Sequence, residues 1–391
     1  MAHEHTIVLR QHFRPEQAGE YVLLPFEVPT GAARLHVSYA YDCPTATFPG
    51  APPGNALDLG LFDARGAGLG MWEGFRGWSG TARQQFTVTP AEATPGYLPG
   101  PLPPGLWHVL LGLYKLAPEG CNVEVTVRIE HGPVPEPQPL QWSTPPAQRE
   151  MRWYRGDLHC HSHHSEAAGT LAELCAAARE QGLDFLAVTE HNTTSHHRLL
   201  GEFHTTDFLP IAGQEVTTYL GHACVWGATH WIDFRARSDA DLARIIQWAH
   251  GAGGLISANH PKTNGPPWEF GTFAGLDCLE VWGGPWFLSN YQSLAVWDGL
   301  LRSGQRIVGV GGSDEHQPTA PDSPLLSRIG RPTTWVYAPA LEAGAILGAI
   351  QAGHVAVSAG PQGPHLTCEA WAGDAHALMG DSLAVAAGDE V

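Results

Sequence analysis

DLHCHSHHSEAAGTLAELCAAAREQGLDFLAVTEH, residues 157–191, is the stretch whose reading decides the fold. Within it, Thr170-Leu-Ala-Glu173 has the spacing of a capping box, in which hydroxyl and carboxylate satisfy the first free amides of a helix. Leu171, Leu174, Cys175 and Ala178 then share one helix face, and Gly182 stops the helix. The apolar run Phe185–Thr189 follows at once and reads as a buried strand. Histidines flank this unit: His159 and His161 before the helix, His191 after the strand.

The same grammar recurs downstream. Apolar runs near 208–212, 223–226, 255–258, 278–282, 306–309 and 334–337 read as strands. Between them, Ser238 caps a helix with a Leu242, Ile245, Ile246, Ala249 stripe, and further helices are expected over 289–303 and 341–352. Alternation of strand and helix predicts a parallel sheet. So many units in roughly 200 residues suit a closed barrel better than an open sheet. The last residues predict a small C-terminal β extension.

Upstream the pattern is different. Tyr21–Val28, Arg34–Tyr41, Ala56–Phe62, Gln84–Thr89, Leu106–Tyr114 and Asn122–Glu130 are short β-rich runs broken by Gly and Pro, with no helix-period segment between them. That spacing predicts an antiparallel β-sandwich. Residues 132–148, GPVPEPQPLQWSTPPAQ, hold six prolines and read as an extended linker. The expected organisation is therefore multi-domain: a β-sandwich over 1–140, a barrel over 151–360 and a β extension over 361–391.

The 391 residues are 43% hydrophobic and only 15% charged, with 46 Gly and 32 Pro, the composition of a turn-rich folded chain rather than a disordered one. A formal charge of −18 argues against nonspecific binding to nucleic acid or to an anionic membrane. Residues 1–150 carry 9 basic and 14 acidic groups, and residues 151–391 carry 12 and 25. The carboxylate excess thus sits with the histidines, as expected of a half that binds cations. No signal peptide or apolar run of membrane-spanning length is visible. Seven cysteines without a Cys-x-x-Cys pair read as reduced thiols, and the expected location is the cytoplasm. The expected partner is a small-molecule substrate, with oligomerisation left open.

The chemistry gathers at strand ends. Asp157-Leu-His159-Cys-His161 places two imidazoles on one face of an extended chain. Thr-Glu190-His191, Gln-Glu215 with Gly-His222 seven residues on, Asn259-His260-Pro and Ser-Asp314-Glu-His316 follow later strands. Any one such pair is ordinarily surface or core histidine. Five clusters, each just past a strand on the face where barrels of this type hold their active sites, point to one centre. Imidazole and carboxylate without thiolate suit zinc, manganese or iron(II), and the number of ligands exceeds one tetrahedral shell, so at least two ions are expected. His163, His164, His196 and His197 are expected in solvated loops. Lys262, with Arg155, Arg328 and Arg331, are candidate cations for an anionic substrate. Trp268, Trp282, Trp286 and Phe287 read either as barrel packing or as an apolar substrate wall.

Asp157-Leu-His-Cys-His-Ser-His-His-Ser-Glu166, Thr189-Glu-His-Asn192, Glu215 with Gly-His222, Asn-His-Pro261 and Gly-Ser-Asp-Glu-His316 together resemble the successive motifs of PHP (polymerase and histidinol phosphatase) domains, the nearest branch being the CehA/McbA-like metallohydrolases. Gly77-Trp-Ser-Gly80, Ala93-Thr-Pro-Gly-Tyr97 and Gly105-Leu-Trp107 resemble the β domain accompanying that branch. The resemblance implies a distorted (β/α)7 barrel with two or three divalent ions. It implies that His159 and His161 bind one ion with Glu215 and Asp314, that Glu215 bridges to a second near His222 and His260, and that Glu166, His191 and His316 serve a third or shared position. Where the family motif continues Ser-Asp-Gly, this chain has Ser165-Glu166-Ala167, a carboxylate one methylene longer. The activity implied is hydrolysis by metal-activated water, with Asp314, His222 and Lys262 as the catalytic candidates. A small-molecule phosphoester is the first expectation and a carboxyl ester or aryl carbamate the second. A non-catalytic metal-binding interaction protein is the alternative of another class.

Overall fold

A computed structural model describes residues 4–46, 51–133, 136, 145–320 and 325–386. Most of the expected proline linker, residues 134–135 and 137–144, lies outside the described residues.

Eight strands come first: β1 (Glu4–Phe13), β2 (Tyr21–Val28), β3 (Ala32–Tyr41), β4 (Ala56–Phe62), β5 (Phe75–Gly80), β6 (Gln85–Val88), β7 (Gly105–Lys115) and β8 (Cys121–His131). They form two antiparallel four-stranded sheets, ordered β1-β8-β3-β6 and β2-β7-β4-β5. β8 alternates buried and open residues, as its Val123, Val125, Val127, Ile129 pattern requires. β1 and β5 are not among the expected runs: β1 is largely exposed and sets only Ile7, Leu9 and Phe13 against the core, and β5 is interrupted by Gly77 and Gly80. Side chains of both sheets meet in one cluster that includes Val37, Leu59, Trp107, Val109 and Val127.

The third sheet has nine strands, ordered β15-β14-β13-β12-β11-β10-β9-β16-β17. These are β9 (Arg152–Asp157), β10 (Phe185–Val188), β11 (Leu209–Thr218), β12 (Gly221–Trp226), β13 (Leu255–Ala258), β14 (Cys278–Gly283), β15 (Val308–Gly312), β16 (Thr333–Ala338) and β17 (Val355–Ser358). Its helices are α1 (Leu171–Glu180), α2 (Asp239–Gly251), α3 (Asn290–Arg302) and α4 (Ala343–Ala352). The capping box is present: Thr170 Oγ1 accepts from Glu173 N at 3.2 Å, and Glu173 accepts from Thr170 N at 2.8 Å. Tyr154, Phe185, Ile211, Trp226, Cys278, Val310 and Val336 meet in one apolar cluster, the packed interior of a nearly closed barrel-like sheet. The sheet curls back on itself, for Gly311 N on β15 donates to Thr334 Oγ1 on β16 at 2.9 Å.

The sheet is mixed, where strand–helix alternation predicts a parallel one. β9, β10 and β11 run parallel, as do β13, β14 and β15, but β12 is antiparallel to both neighbours and β16 is antiparallel to β9. Only Tyr219 and Leu220 separate β11 from β12, and so short a connection forces a hairpin. The reversal still serves the site, because the first residues of an antiparallel strand lie on the rim where its neighbours end. The C-terminal extension is a β18 (Glu369–Ala372) and β19 (Ala375–Leu378) hairpin.

β4 is buried on both faces. Leu57, Leu59 and Leu61 point into the core shared by the two N-terminal sheets. Phe62 joins a second cluster with Phe75, Trp78, Trp231, Phe234 and Ile256, which spans both halves of the chain. Phe75 stacks on Trp231 with centroids 3.9 Å apart, and Tyr219 Oη donates to Asp58 Oδ2 at 2.6 Å.

Candidate metal centre

Each ligand candidate stands on the same rim. β9 ends at Asp157, whose carboxylate accepts from His159 N (3.1 Å), Ser313 N (2.9 Å) and Gly330 N (2.7 Å). That buried carboxylate fastens the turn carrying His159 and His161 to the end of β15. Burial pushes it up to about 6 despite these donors. His191 follows β10, His260 follows β13, and Asp314 and His316 follow β15. Glu215 lies within β11 and His222 near the start of β12, so this pair comes from a hairpin rather than from two strand ends. His260 and Asp314 have φ of 31° and 53°, a left-handed conformation rare outside glycine and costing on the order of 1–3 kcal/mol each. Gly312 permits the closest approach: a Cβ there would stand 2.3 Å from His159 Cβ and 2.8 Å from Glu280 Oε1.

All nine candidates come together, in four overlapping groups: His161, Glu166, His191 and His316; His159, Glu215 and His260; His159, His161 and Asp314; His191, Glu215 and His222. Glu215 is central and fully buried, with Oε1 3.3 Å from His159 Nε2 and 3.2 Å from His222 Nδ1, and Oε2 2.8 Å from His191 Nδ1. Asp314 Oδ1 lies 3.4 Å from His159 Nε2 and 3.2 Å from His161 Nε2. Glu166 Oε1 lies 2.8 Å from His191 Nε2 and 2.9 Å from His316 Nε2, a span that its longer side chain covers. Donors bound about 2.0–2.2 Å from one ion stand roughly 3.0–3.5 Å apart, so most of these separations suit chelation.

The polar accounting agrees. His159 Nε2, His161 Nε2 and Glu215 Oε2 are buried, form no hydrogen bond of good geometry, and stand close only to other candidate donors. Buried polar atoms are ordinarily paired, and three such donors facing one another across Glu215 and Asp314 fit a site for cations. Burial, with His191 and His316 nearby, pushes His161 down to about 3, and burial also lowers His222, so both offer lone pairs. Burial pushes Glu215 and Asp314 up, but the surrounding histidines outweigh it and hold both carboxylates well below their usual range. The residues present therefore fit divalent ions.

Two groups were not picked out as site residues from sequence. Glu280, inside β14, accepts from His260 N at 2.8 Å, and its Oε1 stands 3.2 Å from His159 Nδ1. An acid within the apolar run Cys278-Leu-Glu-Val-Trp282 is the signal that marks it. Asn259 Nδ2 donates to Glu215 Oε1 at 2.8 Å and fixes that carboxylate.

The substrate candidates fare differently. Lys262 is buried, its Nζ donating to Gly283 O at 2.5 Å and Asn290 Oδ1 at 3.0 Å, and burial lowers its pKa. Arg155 pairs with Asp184 at 3.4 Å. Arg328 and Arg331 line a separate cavity with Glu173, Glu180 and Glu315. Trp268 packs on Phe270 and Phe273 against the core, whereas Trp286 and Phe287 are exposed in the loop after β14. His164 and His196 are buried and His163 and His197 half-buried, which corrects the expectation of solvated loops: the N-terminal sheets cover their loops.

A barrel-like sheet with imidazole and carboxylate donors converging on one rim is a scaffold suited to holding several divalent cations. Residues 157–253 match the family model described as the PHP domain. No curated protein matches the chain by sequence. Among solved structures it is similar to a two-domain protein containing a predicted PHP-like metal-dependent phosphoesterase from Bacteroides vulgatus (17% identity, 58% of this chain and 70% of that one, TM-score 0.41). It is also similar to PsfC from Pseudomonas syringae (17%, 48% and 84%, TM-score 0.35) and an amidohydrolase from Chromobacterium violaceum (17%, 45% and 94%, TM-score 0.29). No helix among the described residues is long and apolar enough to cross a membrane.

Proposed function

We propose that this chain is a metal-dependent hydrolase acting on a phosphoester of a small molecule. The observation that carries the reading is the set of buried donor atoms facing one another around Glu215. His159, His161, Glu215 and Asp314 would hold one ion, Glu215 with His222 and His260 a second, and Glu166, His191 and His316 a third. Zinc, manganese or iron bound there supplies Lewis acidity to a phosphoryl oxygen and lowers the pKa of a coordinated water. Asp314, whose side chain is 37% exposed, is the ligand placed to take a proton from an attacking water, and His222 is the second candidate for proton transfer. Lys262 adds positive charge close to Asp314 and Glu280, with its ammonium fixed by Gly283 and Asn290. Residues 1–140 form the accessory β domain, 151–360 the barrel and 361–391 its extension.

The exposed Trp286 and Phe287 favour a second reading, hydrolysis of a carboxyl ester or aryl carbamate. The test is turnover of an aryl phosphate, an aryl ester and an aryl carbamate by metal-loaded and chelator-treated protein. Metal-dependent cleavage of the phosphate is expected, with Asp314→Asn about 100-fold slower or more. Cleavage of only the neutral substrates establishes the second reading, and cleavage of none establishes a non-catalytic metal binder.

A further inference from the structure

The loop Ser162–Glu166 ends in a ligand candidate and rests on two supports. On the barrel side, the fully buried Glu190 accepts from Ser162 N and Ser165 N, each at 3.0 Å, and from both serine hydroxyls. On the other side stands Arg83, in the turn between β5 and β6. Its Nη1 donates to Ser165 O at 2.8 Å and its Nη2 donates to His163 O. Ser165 O is the carbonyl directly before Glu166. The same N-terminal surface reaches the loop after His191: Gly96 N donates to Ser195 Oγ at 3.1 Å, and Thr193 Oγ1 donates to Gly96 O at 2.7 Å. Gly96 has φ of 97°, and a Cβ there would stand 2.9 Å from His164 O, so glycine alone lets the surfaces meet.

Among His161, Glu166, His191 and His316, Glu166 has the most exposed side chain, at 40%, and it sits farthest from a strand. A carboxylate on a free loop loses conformational freedom when it binds an ion, which weakens binding. A guanidinium forked onto two carbonyls of that loop removes much of the freedom beforehand. We infer that Arg83, supplied by the N-terminal sheets, is a positioning residue that holds Glu166 in place for the ion of the His161, Glu166, His191 and His316 group. The inference rests on the metal-hydrolase reading.

The test uses the full chain and counts bound manganese(II) and zinc(II) by equilibrium dialysis and elemental analysis, with melting temperature measured alongside. Arg83→Ala is expected to bind one ion fewer per chain than wild type, or one ion at least about 10-fold more weakly. Arg83→Lys, which keeps the charge but spans only one carbonyl, is expected to fall between. Adding Arg83→Ala to Glu166→Gln is expected to lose nothing further, a coupling that general destabilisation does not produce. Arg10→Ala, which breaks an exposed pair with Glu124, serves as the control. A full metal complement at wild-type affinity in Arg83→Ala overturns the inference alone. Equal weakening of every ion together with a lowered melting temperature also overturns it. Wild-type protein that takes up no metal overturns the metal reading itself.

Discussion

Glu280 shows what a single side chain does here. It touches His159 through Oε1 and the His260 backbone through Oε2, so one carboxylate orients two candidate ligands from different strands. A carboxylate on the far nitrogen of a ligating imidazole fixes its tautomer and raises its basicity. Glu280→Gln keeps the shape and removes the charge, and it is expected to lower metal affinity about 10- to 100-fold, read by competition with a chelator. An unchanged affinity removes Glu280 from the site. The ligand candidates themselves were legible because His-x-His and Asp-x-His fall at strand ends, where their spacing already implies a shared face. Glu280 was not, because its partners come from strands distant in sequence. The buried His164 and His196 misled for the opposite reason, since nothing local to them announces that another sheet covers their loop.

At the scale of elements, the strands and helices of the second half follow from periodicity, but their directions do not. The capping box, the α2 stripe and the strand Leu255–Ala258 stand where the sequence places them. The antiparallel β12 escaped because a two-residue turn without a strong turn signal, Tyr219-Leu220, reverses the chain. The loop after β13 presents a related case in Lys262. Read from sequence, it is a cation for substrate. In the structure its ammonium joins this loop to Gly283 at the end of β14 and Asn290 at the start of α3. Removing a buried donor leaves the Gly283 carbonyl unpaired, which costs on the order of 1–3 kcal/mol. Lys262→Met is therefore expected to lower stability by about that amount in urea denaturation, besides any rise in the Michaelis constant for anionic substrates. A change in the Michaelis constant at wild-type stability assigns Lys262 to substrate alone.

At the scale of the molecule, the two halves share a core, and β4 shows how. Its outward face would meet solvent in an isolated sandwich; here Asp58 and Phe62 face the second half of the chain. Asp58 is the telling residue, a carboxylic acid sealed between the halves with Tyr219 Oη donating to it. Burial pushes it up to about 7, only partly opposed by that hydrogen bond. Its pKa is thus raised on folding from an unfolded value of about 3.9, and the fold binds a proton that the unfolded chain gives up. The stability it contributes is complete below about pH 4 and is lost as pH rises through about 7. Asn at this position still accepts from Tyr219 but does not titrate. Asp58→Asn is therefore expected to match the wild type near pH 4 and to be the more stable protein at pH 8. Between the two pKa values the difference should grow by up to about 1.4 kcal/mol per pH unit. Denaturant unfolding of both proteins at pH 4, 6 and 8 reads it directly. A difference that stays constant over that range shows that Asp58 is ionised in the fold, and that water reaches the seam between the two halves.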